Sequence, residues 1–168
     1  MKVQTLPPRS KVYTREQFLP VRRKLLEAGL KLVFTNGCFD LLHPGHVDYL
    51  ERARALGDRL LVAINSDESV RALKGDARPI VSQEERAEIL GALECVDFVI
   101  IFPEETPREI IQALLPEILV KGSDWPPDEI VGRSEVEVSG GHVVSIDFLP
   151  GFSTTAIIET ISRNYGKK

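Results

Sequence analysis

Short apolar runs alternate with amphipathic stretches along this chain, and the alternation predicts strands and helices in turn. The runs are Leu30 to Thr35, Leu60 to Ile64, Val96 to Phe102, Ile118 to Val120 and Val143 to Phe148. Each is brief and rich in β-formers, as strands covered on both faces are. Between them lie helix signals. Thr14 with Gln17 three residues on forms a capping box for a helix through Leu25 and Leu26 to a stop at Gly29. Pro44 occupies a favoured first helical position, and Val47, Leu50 and Leu56 form the apolar stripe of a helix that closes near Gly57. Ser82 with Glu85 makes a second capping box, ahead of Ala87, Ile89 and Leu90. Pro107 to Leu115 reads as helix, and Ser153 opens a last helix through Ile157, Ile158 and Ile161. Residues 122–141 are rich in Gly, Pro and acids and read mostly as loop, with one short helical candidate at 127–131. Residues 1–12, where Pro7-Pro8 blocks a helix, read as a loose arm before a single domain over 13–168.

Strands that alternate with helices imply βαβ crossovers. The expected fold is therefore α/β: a Rossmann-like doubly wound sheet of five main parallel strands with flanking helices. Such sheets bind ligands at the carboxyl ends of their strands. The residues that follow each strand are the ones to examine.

Composition narrows the classes. With 168 residues, 43% hydrophobic and 27% charged, the chain reads as one globular domain and not as a disordered one. A net charge of −4 argues against a nucleic-acid-coating protein, although it leaves room for a local phosphate pocket. No stretch approaches the ~18 apolar residues of a membrane span, and the N-terminus lacks the apolar core of a signal peptide. Cys38 and Cys95 stand far apart without a CxxC, which excludes a Cys-rich zinc site or a disulfide scaffold and suits the cytoplasm. Of three histidines, two stand three residues apart.

Those two, His43 and His46, flank Pro44-Gly45 in the segment Thr35-Asn36-Gly37-Cys38-Phe39-Asp40-Leu41-Leu42-His43-Pro44-Gly45-His46, just after the first long strand. At i and i+3 on a helix start they can share a face. Free N–H groups and the helix dipole favour an anion there. The same dipole disfavours a bare imidazolium, so both rings are expected neutral without ligand. Singly, each histidine reads as a cap or a packed ring; together, after a strand, they point to phosphate. Zinc would need a third protein ligand, for which Asp40 and the distant His142 are the candidates. Lys121-Gly122-Ser123-Asp124 ends a buried apolar run at the ligand edge, so Lys121 is assigned to nucleotide or phosphate and Asp124 to ribose, base or the turn itself. Ser153, Thr154 and Thr155 follow Gly151, and three hydroxyls exceed what one N-cap needs, which suggests a second anion site. Cys38 and His43 invite a thiol-nucleophile reading, but a phosphate substrate supplies its own nucleophile, so Cys38 is read as cleft lining.

The decapeptide GCFDLLHPGH resembles the GxFDxxHxGH signature of the HxGH nucleotidylyltransferase superfamily. TNGCFD, AINSD, LKGDARPI, LGALECVDFV, ILVKGSDW and GFSTTAII resemble its heptose 1-phosphate adenylyltransferase branch, over roughly residues 11 to 163. That domain is usually the C-terminal half of a bifunctional kinase/adenylyltransferase, and no kinase half is present in this sequence. Trp125 departs from the branch, which has tyrosine there.

The resemblance implies transfer of AMP from ATP to D-glycero-β-D-manno-heptose 1-phosphate with release of pyrophosphate. It implies His43, His46 and Lys121 as catalytic residues. It implies Thr35, Asn36, Gly37, Cys38, Phe39, Gly45, Lys121, Gly122, Asp124, Ser153, Thr154 and Thr155 as nucleotide-binding. Asp40, Asn65, Asp67, Lys74, Arg78 and Arg86 are the substrate-side candidates. For Asp40 the competing role is bonding backbone amides; for Arg86 it is a plain surface position. Mg²⁺ is expected to arrive with ATP and keep several waters, without a protein cage. The partners expected are ATP and a sugar 1-phosphate, with neither nucleic acid nor membrane, and a homodimer is compatible with the chain. Two alternatives stand beside this: a cytidylyltransferase acting on glycerol 3-phosphate or another small phosphate, and a non-catalytic nucleotide-binding sensor.

Overall fold

The structure is a computed structural model that describes residues 7–166. In chain order its elements are β1 (Val12–Tyr13), α1 (Arg15–Glu27), β2 (Leu32–Gly37), α2 (Pro44–Arg54), β3 (Arg59–Asn65), α3 (Asp67–Lys74), α4 (Gln83–Ala92), β4 (Phe98–Phe102), α5 (Arg108–Leu114), β5 (Ile118–Gly122), α6 (Arg133–Val138), β6 (His142–Ile146) and α7 (Thr154–Tyr165). Local chemistry explains most boundaries. Both capping boxes form, Thr14 with Gln17 and Ser82 with Glu85. Ser66 Oγ accepts from the Ser69 N–H at 3.2 Å and caps α3.

All strand pairs are parallel, in the order β1-β4-β3-β2-β5-β6. This is the doubly wound sheet expected, with the five main strands extended by the two-residue edge strand β1. Successive side chains alternate between faces. Val33, Leu60, Val62 and Ile64 join Leu50 and Leu90, from α2 and α4, on one side. Leu32, Phe34, Leu61 and Ala63 meet Phe18 and Leu25 of α1, Ile110, Ile111 and Leu114 of α5, and Val136 of α6 on the other.

Two expectations change. Residues 8–11 form a 3₁₀ turn and Val12–Tyr13 a strand, where a loose arm over 1–12 was expected. Lys11 Nζ fastens this segment by donating to the carbonyls of Leu93 (3.1 Å) and Val96 (2.7 Å). Residues 1–6 lie outside the described residues. In the 122–141 region, the helix expected at 127–131 is a three-residue 3₁₀ turn, and the α-helix is α6 further on. Val136 is its buried residue, too little apolar pattern to read from sequence.

The order of strands creates the site. β2 pairs with β3 as far as Gly37, and β5 pairs with β6 as far as Gly122. Between β2 and β5, however, the register stops at Thr35 opposite Val120. Beyond that pair the two strand ends separate, and a cleft opens at the topological switch point.

Candidate active site

The cleft is walled by Asn36, Gly37, Cys38 and Phe39 from β2 and the following turn, and by Lys121, Gly122, Asp124 and Trp125 from β5. His46 and Tyr49 of α2 and Phe148 complete it. Gly122 has no room for a side chain, and Gly45 beside the cleft has little. A Cβ on Gly122 would lie 2.2 Å from Phe148 Cζ, and one on Gly45 would lie 3.1 Å from both His43 Nδ1 and Phe152 Cβ. Phe39 takes a left-handed φ of +47°, unusual for a bulky residue, and this turns the chain from β2 toward α2.

His43 is the N-cap residue of α2 yet makes no side-chain cap bond. Its ring stacks on that of His46, with centroids 3.8 Å apart and planes 16° from parallel. Nδ1 of each ring is buried without a hydrogen-bond partner among the described residues. Burial pulls the His46 pKa down to about 4, and the neighbouring His43 adds to the effect. Burial lowers that of His43 as well. Two neutral rings are therefore held together at a helix start, with polar atoms unspent.

A second cavity adjoins the first. It is lined by Asn65 after β3, Leu73 and Lys74 at the end of α3, Glu105, Thr106 and Pro107 before α5, and Val131. Asn36, Gly37, Cys38, Lys121 and Trp125 line both cavities. Lys121 thus stands at the junction. It is 8% exposed, and its ammonium lies 5.4 Å from the centre of the Trp125 ring. Burial brings its pKa down to about 8, against the opposing pull of the Asp124 carboxylate. A buried cation held beside an indole suits an anionic ligand.

Several sequence candidates are engaged inside the fold instead of facing this cleft. Asp40 accepts from the backbone N–H groups of Ile80 (2.8 Å) and Val81 (2.9 Å) and from Arg78 Nε, so it pins the loop after α3. Of its two roles weighed, bonding to nearby amides is the one seen. Arg78 is tied down by the same pairing. Arg86, expected at the surface or in the cleft, is 1% exposed and donates to the carbonyls of Val81 (3.0 Å) and Cys38 (2.6 Å) and to Asp67 Oδ1 (2.7 Å). Asp67 is thereby paired as well. Thr35 is wholly buried, and its hydroxyl bonds the Tyr49 hydroxyl at 2.8 Å beneath the cleft floor. Ser153 Oγ is spent on the Ala156 N–H (3.1 Å), and Thr154 Oγ1 donates to the Leu41 carbonyl (3.3 Å). Thr155 is exposed. The α7 start is thus already capped, although Ser153 and Phe152 border a further depression beside His43.

Asn65 is buried and donates to Ser69 Oγ at 3.0 Å. Burial raises the Cys38 thiol, which fits a lining role and opposes a thiolate. His142 opens β6, opposite Ile118 and therefore at the other end of the sheet from the cleft. Among the described residues no three His, Cys, Asp or Glu side chains gather as a metal site. Tyr49, Phe148, Glu105 and Thr106 were missed. Glu105 and Thr106 follow β4, so the strand-end rule reaches them; Tyr49 stands within α2, beside the apolar stripe, with no local signal of its own.

The cytidylyltransferase-like family model matches residues 34–160, which span every element of this cleft. The chain belongs to the cytidylyltransferase-like family. Its similarity to family relatives is high: 53% identity over 93% of this chain to the Bifunctional protein HldE of Syntrophotalea carbinolica, and 58% over 79% to that of Geotalea uraniireducens. The matches cover 32% and 27% of those proteins, so the chain spans about a third of the length of these curated relatives. Among solved structures, the lipopolysaccharide core biosynthesis protein of Thermoplasma volcanium superposes with a TM-score of 0.58 at 28% identity, covering 72% of this chain and 98% of that one. Pantoate-beta-alanine ligase of Francisella tularensis, at 16% identity and a TM-score of 0.58, shares the fold. That comparison covers 89% of this chain and 76% of the ligase.

Proposed function

We propose that this family member transfers AMP from ATP to a heptose 1-phosphate, releasing pyrophosphate. The observation that carries the reading is the stacked, unpartnered pair His43/His46 at the start of α2, of which His46 lines the same cleft as Lys121 where β2 and β5 part. The relatives' name, Bifunctional protein HldE, and the likeness to a lipopolysaccharide core biosynthesis protein support the heptose choice.

In this reading ATP occupies the cavity of Trp125, Phe148 and His46, and the sugar phosphate occupies that of Asn65, Lys74 and Thr106. An oxygen of the acceptor phosphate attacks the α-phosphorus. The new P–O bond forms as the bond to the pyrophosphate oxygen breaks, and pyrophosphate departs past the histidines. The nucleophile is already anionic, so no general base is required. What remains is positioning and charge stabilisation. Lys121, which borders both cavities, balances charge on the transferred phosphoryl group. The neutral rings donate N–H groups to the leaving oxygens, and the accumulating negative charge raises their proton affinity. Asp124 and Glu105 are the carboxylates that line the cavities, one in each. This sparse donor set fits a Mg²⁺ that binds chiefly through the triphosphate and retains water. When bound, that ion supplies further neutralisation of phosphate charge.

The test is pyrophosphate release with ATP or CTP against heptose 1-phosphate and glycerol 3-phosphate, side by side. ATP with the heptose is the expected productive pair. Use of CTP with ATP ignored would overturn the assignment. Nucleotide binding without acceptor-dependent release would reveal a sensor.

A further inference from the structure

We infer that Arg86 is a positioning residue for His46, acting through the Cys38–Phe39 turn. The inference rests on the histidine role proposed above. Arg86 is completely enclosed, and each nitrogen of its guanidinium bonds a different segment. Nε holds the Val81 carbonyl, Nη1 the Cys38 carbonyl and Nη2 the Asp67 carboxylate. Val81 returns the connection, since its N–H, with that of Ile80, donates to Asp40. The turn 38–40 is therefore gripped at both ends, by Arg86 on the Cys38 carbonyl and by the 80–81 backbone on the Asp40 side chain.

Between those grips lies Phe39, whose φ of +47° a free chain would relax. Fixing the Cys38 carbonyl fixes the peptide plane that precedes this φ. The Phe39 ring then rests 5.1 Å from the His46 ring, tilted by 54°. His46 has no hydrogen-bond partner at Nδ1 to orient it, so packing against Phe39 and stacking on His43 set its angle. Arg86 touches neither cavity. Its influence on the reaction passes through Phe39. Only the planar three-nitrogen fork can span all three acceptors; a lysine reaches one.

The experiment is a double-mutant cycle of Arg86→Lys and His46→Ala, with kcat, the KM for ATP and thermal stability measured for each. Arg86→Lys is expected to lower kcat at least tenfold with the KM for ATP within threefold of the parent. In the His46→Ala background the same change should cost less than twofold, because the ring it positions is gone. Leu90→Ala, a buried change on the same helix, controls for lost stability and should lower the melting temperature without lowering kcat in the cold. An equal loss in both backgrounds, or a loss that vanishes at low temperature, would overturn the inference. Undiminished turnover in His46→Ala would instead overturn the histidine role, and the inference with it. Should Arg86→Lys fail to fold, Asp67→Ala decides the matter: it removes the carboxylate that anchors Nη2 of Arg86. The expected result is a two- to fivefold drop in kcat that disappears in the His46→Ala background; a drop that persists there refutes the inference.

Discussion

Lys121→Met exchanges a buried ammonium for an apolar chain of nearly equal length. The drop of the lysine pKa from 10.5 to about 8 is the net of burial against the attraction of Asp124, and it corresponds to roughly 3 kcal/mol against the charged form at about 1.4 kcal/mol per tenfold. Loss of the contact with the Trp125 ring subtracts on the order of 1 kcal/mol. The variant should therefore gain about 2 kcal/mol at pH 7, or roughly 4–8 °C in melting temperature for a chain of this size, while losing acceptor-dependent pyrophosphate release. The pH dependence supplies an internal check. Between pH 8 and 10.5 the unfolded chain keeps a proton that folded Lys121 has released, so the parent's stability rises with pH across that window. The raised Cys38 and Cys95 thiols and Tyr49, pushed up to about 12 by burial, work the other way at high pH but in both proteins alike, so the quantity to read is the difference between the two from pH 8 to 10. Urea unfolding of both proteins at pH 7, 8, 9 and 10 is the assay. A variant no more stable than the parent at pH 7, or one that retains the parent's rise from pH 8 to 10, would refute the burial argument.

Gly45→Ala should lower kcat about tenfold with little change in melting temperature, since its Cβ would push on His43 at 3.1 Å; unchanged turnover would mean the ring's position does not matter. Trp125, the sole tryptophan, lines both cavities, so ATP and the sugar phosphate should each alter its fluorescence when added alone. A response to neither would place binding elsewhere. The depressed pKa of His46, about 4, predicts stability that is present above pH 6.5 and lost as pH falls toward 4, because the unfolded ring takes up a proton first. His46→Gln should flatten that limb of an acid-unfolding curve, and an unchanged limb would contradict the burial of the ring.

Local signals carried the reading of the fold. Thr14/Gln17, Ser82/Glu85 and Pro44 each act within one helical turn, and the structure places helix starts there. β1 was missed because two residues carry no period; its strand character comes from pairing with Val99 and Ile100, far away in sequence. The same distinction runs through the site. The histidine pair and Lys121 were legible because their neighbours in sequence define their setting. The settings of Arg86 and Thr35 were not, because their partners Cys38 and Tyr49 lie 48 and 14 positions away, and for Asp40 the kind of bond was weighed but not its partners, the amides of Ile80 and Val81. A buried arginine looks like any other arginine until the carbonyls that surround it are known.

The parting of β2 from β5 after Thr35 and Val120 makes the depth of the cleft a matter of ladder length. One further rung would draw Asn36 against Lys121 and close the floor on which the two cavities meet. One rung fewer would expose the Thr35–Tyr49 pair to water. The seam between the two wings of the sheet thus works as a zip stopped at a set height. Chain segments 85 positions apart are held at a set separation by backbone pairing, before any side chain in the cleft has been chosen.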